Sequence, residues 1–227
     1  MTKQSLNKDN FAVVLTGGER KAAVLYAMKD AGWLEFRVDE FLKKFPEKNL
    51  ASWLSVKGHF KKIGTVRWKK EHQSRGLDIP EKKRLEIYEK IAGYVDYIDV
   101  EIRSKIADGV AGIAKKRGKK IIASYHHFSK TPAYDKLERI FCEGKKLHPG
   151  MIKIAVSVRS ESDLFTLAAF TRRYSGEYPL VVIPMGVPAV ERLIPLSFGS
   201  LFTYVSIDKQ TAPGQITCKT LRTLLRY

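Results

Sequence analysis

Leu34-Glu35-Phe36-Arg37-Val38-Asp39 alternates an apolar residue with a charged one at every step. Successive side chains of a strand point to opposite faces, so one face of this segment is wholly apolar and the other carries Glu, Arg and Asp. The alternation recurs in Thr65-Val66-Arg67-Trp68, in Tyr97-Ile98-Asp99-Val100-Glu101-Ile102 and in Ala123-Ser124-Tyr125-His126-His127. In an antiparallel sheet such a polar face would look at water. The intervening segments decide otherwise.

Eight β-type runs are readable, over 11–16, 33–39, 62–68, 94–102, 120–126, 151–158, 178–185 and 201–207. Each is followed by a stretch of helical periodicity or composition: 19–32, 40–60, 81–92, 103–118, 131–148, 160–175, 187–196 and 217–227. Strict alternation of strand and helix argues for a parallel sheet, and eight repeats in 227 residues argue for closure. The expected fold is α/β, a single (β/α)8 TIM barrel spanning residues 1–227. Helix punctuation agrees. Ser160 precedes Glu161 and Asp163 as an N-cap should, Thr131-Pro132 puts proline at a first helical turn, and Gly32, Gly118 and Gly176 follow periodic stretches as stops. The segment 69–83, with Gly76 and Pro80, reads as a loop.

In such a barrel helices cover the outer face of every strand, so the polar faces point inward. Charges there are expensive unless they pair, hydrogen-bond or bind a ligand. Glu35, Arg37, Arg67, Asp99, Glu101 and His126 all fall late in their strands, the end where barrel active sites form.

Composition narrows the partners. Lys and Arg number 41 against 24 Asp and Glu, a net charge of +17. The bases are scattered as pairs such as Lys43-Lys44, Lys61-Lys62 and Lys115-Lys116, the pattern of a solvated face rather than a nucleic-acid surface. The excess charge is open to a polyanionic partner, a small anionic substrate, or no specific role. No run of about 18 apolar residues exists to span a membrane. The polar start MTKQSLNKDN lacks a signal-peptide core, so a cytoplasmic location is expected. Cys142 and Cys218 have no metal-ligand spacing and read as thiols of a reducing compartment.

Met151-Ile152-Lys153-Ile154-Ala155-Val156 is an apolar strand broken by one lysine. Two readings of Lys153 stand. It snorkels to the rim, or it is an interior amine whose neutral form attacks a ketone to give an imine, its pKa lowered by neighbouring cations and desolvation. His126, on the adjacent strand, is the natural proton-transfer partner. Alternation sends His127 to the helix-covered face. His72 and His148 lie in loop-like stretches, His59 in a helical one, and none of the three receives a role.

These segments, taken in order, resemble the type I 3-dehydroquinate dehydratase family. Glu35-Phe36-Arg37-Val38-Asp39 resembles its E-x-R-x-D strand, Thr65-Val66-Arg67 with downstream Glu71 its T-x-R element, and Asp96–Glu101 its D-x-x-D-x-E strand. Ser124-Tyr125-His126-His127-Phe128 is similar to the S-x-H-[DN]-F signature, and Ile152-Lys153-Ile154-Ala155 to the segment around the imine-forming lysine. Met185-Gly186 with Arg192, Phe198-Gly199-Ser200 and Ala212-Pro213-Gly214-Gln215 follow the C-terminal motifs. The chain departs at His127, usually Asp or Asn, at His72-Gln73, where Gly-Gly is expected, and at Thr211, often Ser.

The resemblance implies dehydration of 3-dehydroquinate to 3-dehydroshikimate, a shikimate-pathway step, through a Schiff base on Lys153 with His126 as general acid/base. It implies that Glu71 and Asp99 orient and tune His126. It implies that Arg192, Thr211 and Gln215 hold the substrate carboxylate, and that Glu35, Arg37 and Arg67 hold the ring hydroxyls. Met185 is expected to supply an apolar wall. No metal or organic cofactor is called for, and a homodimer is implied. Two other classes remain at this point. A class I aldolase would share the imine but would favour a phosphate site after strands seven and eight. A basic nucleic-acid-binding barrel would leave the inward Glu-Arg-Asp-His-Lys set unexplained.

Overall fold

The computed structural model describes residues 6–72, 77–207, 210, 212 and 214–225. Its strands are β1 (Phe11–Leu15), β2 (Trp33–Arg37), β3 (Lys61–Thr65), β4 (Tyr97–Glu101), β5 (Lys120–His127), β6 (Met151–Ser157), β7 (Leu180–Met185) and β8 (Thr203–Ser206). A two-residue β9 (Ile216–Thr217), absent from the sequence reading, extends the sheet beside β8. All pairings are parallel, in the order β7-β6-β5-β4-β3-β2-β1-β8-β9. Because β1 pairs with both β2 and β8, the sheet curls on itself, and its seam lies between β7 and β8. There the Leu201 amide donates to the Leu180 carbonyl at 2.9 Å and the Val182 amide donates to Ser200 Oγ at 3.0 Å. A serine hydroxyl thus stands in for a ladder carbonyl at the join.

The first half of the outer layer holds α1 (Lys21–Ala27), α2 (Val38–Leu42), α3 (Leu50–Leu54) and α4 (Glu81–Ile91). The second half holds α5 (Ala107–Lys116), α6 (Tyr134–Lys145), α7 (Glu161–Tyr174), α8 (Ile194–Ser197) and α9 (Cys218–Leu225). The helix expected over 40–60 is instead α2, a 3-10 turn Glu47–Asn49 and α3. Pro46 breaks it by lacking an amide proton and by disfavouring helix at the residue before it. His59 accordingly lies outside any helix, between α3 and β3. The helix expected over 187–196 shrinks to a 3-10 turn Glu191–Leu193 and the single turn α8, with Pro188 before it and Pro195 within it. Pro132 is not in a first turn, since α6 starts at Tyr134; Thr131 Oγ1 instead donates to the Ser157 carbonyl at 2.9 Å, tying this loop to β6. Ser160 does cap α7, its Oγ accepting from the Asp163 amide at 3.3 Å.

Two apolar layers result. Outside the strands, Leu34, Phe36, Ile98 and Val100 pack with Ile87, Tyr88 and Ile91 of α4. Gly64 belongs to this layer, and a Cβ there would lie 2.9 Å from Ile91 Cδ1. Inside, Ala12, Ile63, Ile122, Met151 and Val181 fill the barrel over a plug in which Trp33 packs at a tilt against Phe202 (4.8 Å, 37°) and meets Tyr97 edge-on (5.3 Å). Above that plug the inner residues become polar.

Helix α4 explains where β3 stops. Arg84 and Tyr88, one turn apart, face the sheet, both fully buried. Arg84 Nε and Nη2 donate to the Val66 carbonyl at 3.0 and 2.8 Å, and the Val66 amide donates to Tyr88 Oη at 3.2 Å. Val66 therefore finds its partners on a helix rather than on β4, and the chain is free to turn toward the barrel mouth with Arg67.

Candidate active site

Lys153 stands on the inner face of β6, 4% exposed. Its Nζ donates to Asp99 Oδ2 at 2.9 Å, lies 3.9 Å from Glu35 Oε1, and sits 4.5 Å from the ring centre of Tyr204. Its nearest charges are therefore carboxylates, where the sequence reading placed cations. Both carboxylates and the aromatic face stabilise positive charge on that nitrogen.

Asp99, on β4 and fully buried, is fixed from three directions. Besides Lys153 it receives Ser124 Oγ at 2.7 Å and Arg67 Nη2 at 3.0 Å. Burial alone would raise its pKa, but Arg67, Lys153 and Ser124 hold it at about 2. The expectation that Asp99 orients His126 is corrected here: Asp99 grips the amine and Arg67. Its β4 face-mate Glu101 takes Arg67 Nη1 at 2.8 Å, Arg84 Nη2 at 2.5 Å and the Trp68 amide at 2.8 Å. Arg67 is thus clamped between Asp99 and Glu101.

His126 is partnered by Glu71 alone of the two expected carboxylates. The 3-10 turn Lys69–Glu71 brings Glu71 Oε2 to 2.9 Å from His126 Nδ1, and the His126 backbone amide donates to the same oxygen at 2.8 Å. This double contact fixes the ring and directs Nε2 away from Glu71. Phe128 stacks on the imidazole at 6.1 Å and 12°. Burial, then Glu101, pushes the Glu71 carboxyl up to about 8 despite Arg67. Burial, then Arg67 and Lys153, pulls the His126 imidazole well below its ordinary range. Both groups thus favour their neutral forms.

One pocket at the C-terminal ends of the strands is lined by Lys153, His126, Glu71, Glu35, Arg37 and Arg67, and on its far side by Arg192 and Gln215. Val14, Ala155, Ile183 and Met185 supply the apolar wall. Asp99 lies behind Lys153 rather than in this lining, and Thr211 lies outside the described residues. Arg192 comes from the 3-10 turn after β7, 2% exposed, its guanidinium pulled down to about 10 by burial. Gln215 follows Gly214, whose φ of +69° and tight approach to the backbone of Val187 admit no side chain. Glu35 accepts from Thr65 Oγ1 at 2.8 Å.

The Arg37 corner is built differently from the sequence reading. β2 ends at Arg37, and Asp39 sits in the first turn of α2, where it takes Arg37 Nε and Nη2 at 3.1 and 2.7 Å. His72, given no role before, joins this corner and the pocket: its Nε2 lies 3.1 Å from Arg37 Nη2 and 3.3 Å from Glu40 Oε1. Asp39, Glu40 and His72 have ligand atoms close enough to hold a metal ion. The Arg37 guanidinium already stands among them, however, and a second cation would be repelled. His72 and Tyr204 are the polar lining residues the sequence reading missed. The departure from Gly-Gly after Glu71 was the only mark on His72, and nothing separated Tyr204 from an ordinary core aromatic. No helix among the described residues is long and apolar enough to cross a membrane.

Comparison with known proteins meets the same assignment from another direction. The model of the type I 3-dehydroquinase family matches residues 11–227. A 3-dehydroquinate dehydratase of Thermodesulfovibrio yellowstonii is 32% identical over 209 residues, covering 92% of this chain and 90% of that one. The crystal structure of the 3-dehydroquinate dehydratase from Aquifex aeolicus superposes with a TM-score of 0.79 at 30% identity, over 95% of this chain and 96% of that one. The type I enzyme from Clostridium difficile, solved with covalent modified comenic acid, gives 0.80 at 28% identity over 98% and 92%. By sequence and by fold alike, this chain belongs to the type I 3-dehydroquinase family.

Proposed function

We propose that the chain dehydrates 3-dehydroquinate to 3-dehydroshikimate through an imine on Lys153, with His126 as the acid and base. The observation that carries this reading is a buried amine sharing one pocket with an imidazole whose Nδ1 is held by a carboxylate. Lys153 Nζ condenses with the C3 ketone and water is lost. The iminium then acts as electron sink for the C2–H bond, so the chemistry calls for no metal or organic cofactor. His126 Nε2 takes the C2 proton, the bonding pair forming an enamine. As the enamine returns its electrons, the C1–O bond breaks and His126 gives the proton to the departing hydroxyl. Hydrolysis of the conjugated iminium frees the product. Asp99 and Glu35 support the cationic stages of the nitrogen.

Around this centre, Arg192 and Gln215 are assigned to the substrate carboxylate, with Thr211. Glu35, Arg37 and Arg67 are assigned to the ring hydroxyls, Arg67 with its guanidinium already engaged by Asp99 and Glu101.

The test is borohydride trapping. The protein is mixed with 3-dehydroquinate and reduced, then its intact mass and peptide map are recorded. A stable adduct on Lys153 is expected. Intact folded protein without an adduct, beside a working positive control, removes the imine.

A further inference from the structure

Tyr204 has no place in the scheme so far, yet its surroundings are unusual. It lies on β8, paired in register with Ala12, 5% exposed and part of the pocket lining. Its ring face meets Lys153 Nζ at 4.5 Å, and its edge packs on Phe202 (5.5 Å, 80°). Its hydroxyl is buried without a hydrogen-bond partner among the described residues. The contrast is with Tyr88, whose hydroxyl donates to the Asp99 carbonyl at 2.7 Å and accepts from the Val66 amide. A phenylalanine would give the same aromatic face and the same packing. A buried polar atom with no partner costs stability, so the hydroxyl calls for a partner that arrives with the ligand. Nearby donors are already engaged: Ser124 by Asp99, Thr65 by Glu35, Arg67 by Asp99 and Glu101.

We propose that the Tyr204 hydroxyl hydrogen-bonds the oxygen atom that leaves as the Lys153 imine forms and the water that returns to hydrolyse it. The inference rests on the imine reading above. In the first step Nζ bonds to the ketone carbon, the C=O π pair moves to oxygen, and a nitrogen proton passes to that oxygen. The carbinolamine C–O bond then breaks, the oxygen leaving as water with a second proton from the His126–Glu71 pair, while the nitrogen lone pair closes C=N. Hydrolysis reverses these bonds. That oxygen is borne by the atom joined to Nζ, and Nζ lies on the Tyr204 ring. Tyr204 itself transfers no proton. Burial, then Glu35 and Asp99, pushes its phenol well above the ordinary range, so it stays a neutral donor throughout.

The experiment compares wild type and Tyr204→Phe in steady state, in borohydride-quenched single turnovers with 3-dehydroquinate, and in thermal unfolding. Expected for the variant is a roughly 10–100-fold slower build-up and decay of the Lys153 adduct, below the loss typical of an oxyanion donor. KM should stay within about twofold, since ground-state contacts are kept. Tm should hold or rise by about 2–4 °C, because an unsatisfied hydroxyl is removed. Adduct kinetics equal to wild type overturn the proposal, as does a variant that loses its fold, which would make the hydroxyl structural. A wild type that traps no adduct overturns the imine and this inference together. Trapping by wild type with an indistinguishable variant overturns this inference alone.

Discussion

The two walls of the pocket handle charge in opposite ways. On the wall built from the ends of β2 to β5, each cation meets its counter-ion within the protein. Arg67 lies between Asp99 and Glu101, Arg84 reaches Glu101 from α4, and Arg37 is held by Asp39. On the wall built from β6 to β8 the strands are apolar, with Ala155, Val181, Ile183 and Met185 facing inward. Lys153 crosses from it to the acids of the other wall, and Arg192 stands at its rim, lowered to about 10 by burial. Charge on the first wall forms a lattice that fixes the strand ends; charge on the second faces the space where a ligand binds. Removing Arg84, which is outside the pocket lining, should therefore cost stability, and removing Lys153 or Arg192 should cost activity, while Arg37 and Arg67 serve both the lattice and the pocket.

The largest effect is expected at Lys153. Lys153→Met should lower turnover by at least about 10⁴-fold and abolish the borohydride adduct. The fold should survive, because Asp99 keeps Arg67 and Ser124. His126→Ala gives the complementary result: the adduct still forms, more slowly because the carbinolamine loses a proton donor, while turnover falls by about 10²–10⁴-fold. Wild-type turnover in either variant would end the assignment of roles. On the opposite wall, Arg84→Met should cost about 3–5 kcal/mol by leaving Glu101 short of a buried partner. Denaturant unfolding measures this, and KM of the folded fraction should be unaltered. A loss under about 1 kcal/mol would show that the lattice is not what holds the strand ends.

This contrast was half legible in the sequence. Alternation on parallel strands forces Glu35, Asp99, Glu101 and Lys153 inward, because the outer face is taken by helices, and that inference needs no tertiary detail. Arg84 was invisible for the converse reason. It sits in Glu81-Lys82-Lys83-Arg84-Leu85-Glu86, which reads as a solvated charge run, and its burial depends on where α4 lands against Val66 and Glu101. The pairing of Asp99 with His126 came from the family resemblance rather than from the residues themselves. Strand spacing put Asp99 and His126 on one inner surface, but the side chains of Ser124 and Lys153 are the ones that reach Asp99, and His126 is left to Glu71 of the 3-10 turn. Asp39 shows the limit of periodicity: its alternation continues that of Glu35 and Arg37, while the backbone has already turned into α2.

Arg192 sharpens the comparison with a smaller effect on stability. Arg192→Gln should raise KM for 3-dehydroquinate by about 10–100-fold, the scale of a lost charge-assisted hydrogen bond to a carboxylate. Tm should fall less than in Arg84→Met, since the removed charge is one that burial disfavours. Steady-state kinetics with a melting curve reads both. An unchanged KM would remove Arg192 as carboxylate anchor, and a large drop in Tm would place it with the lattice residues instead.

The Glu71–His126 pair stands at the edge of the first wall, where β5 meets β6, and pH is the finest probe of it. His126 works as a base only when Nε2 carries no proton, with Nδ1–H donating to ionised Glu71, so the working pair holds one proton. Burial raises Glu71 to about 8, so near pH 7 the pair mostly holds a second proton and cannot accept another. Activity of the free enzyme, read as kcat/KM, should therefore rise with pH through about 8. A positive iminium beside the pair favours loss of that proton, so the limb in kcat should lie lower than the limb in kcat/KM. Glu71→Gln cannot store the proton. Burial, Arg67 and Lys153 then keep the remaining imidazole low, and the limb should move below the ordinary histidine range with a rate loss on the order of tenfold. A limb at the ordinary imidazole position, unmoved by Glu71→Gln, would mean that His126 titrates alone and that Glu71 orients the ring without sharing its proton.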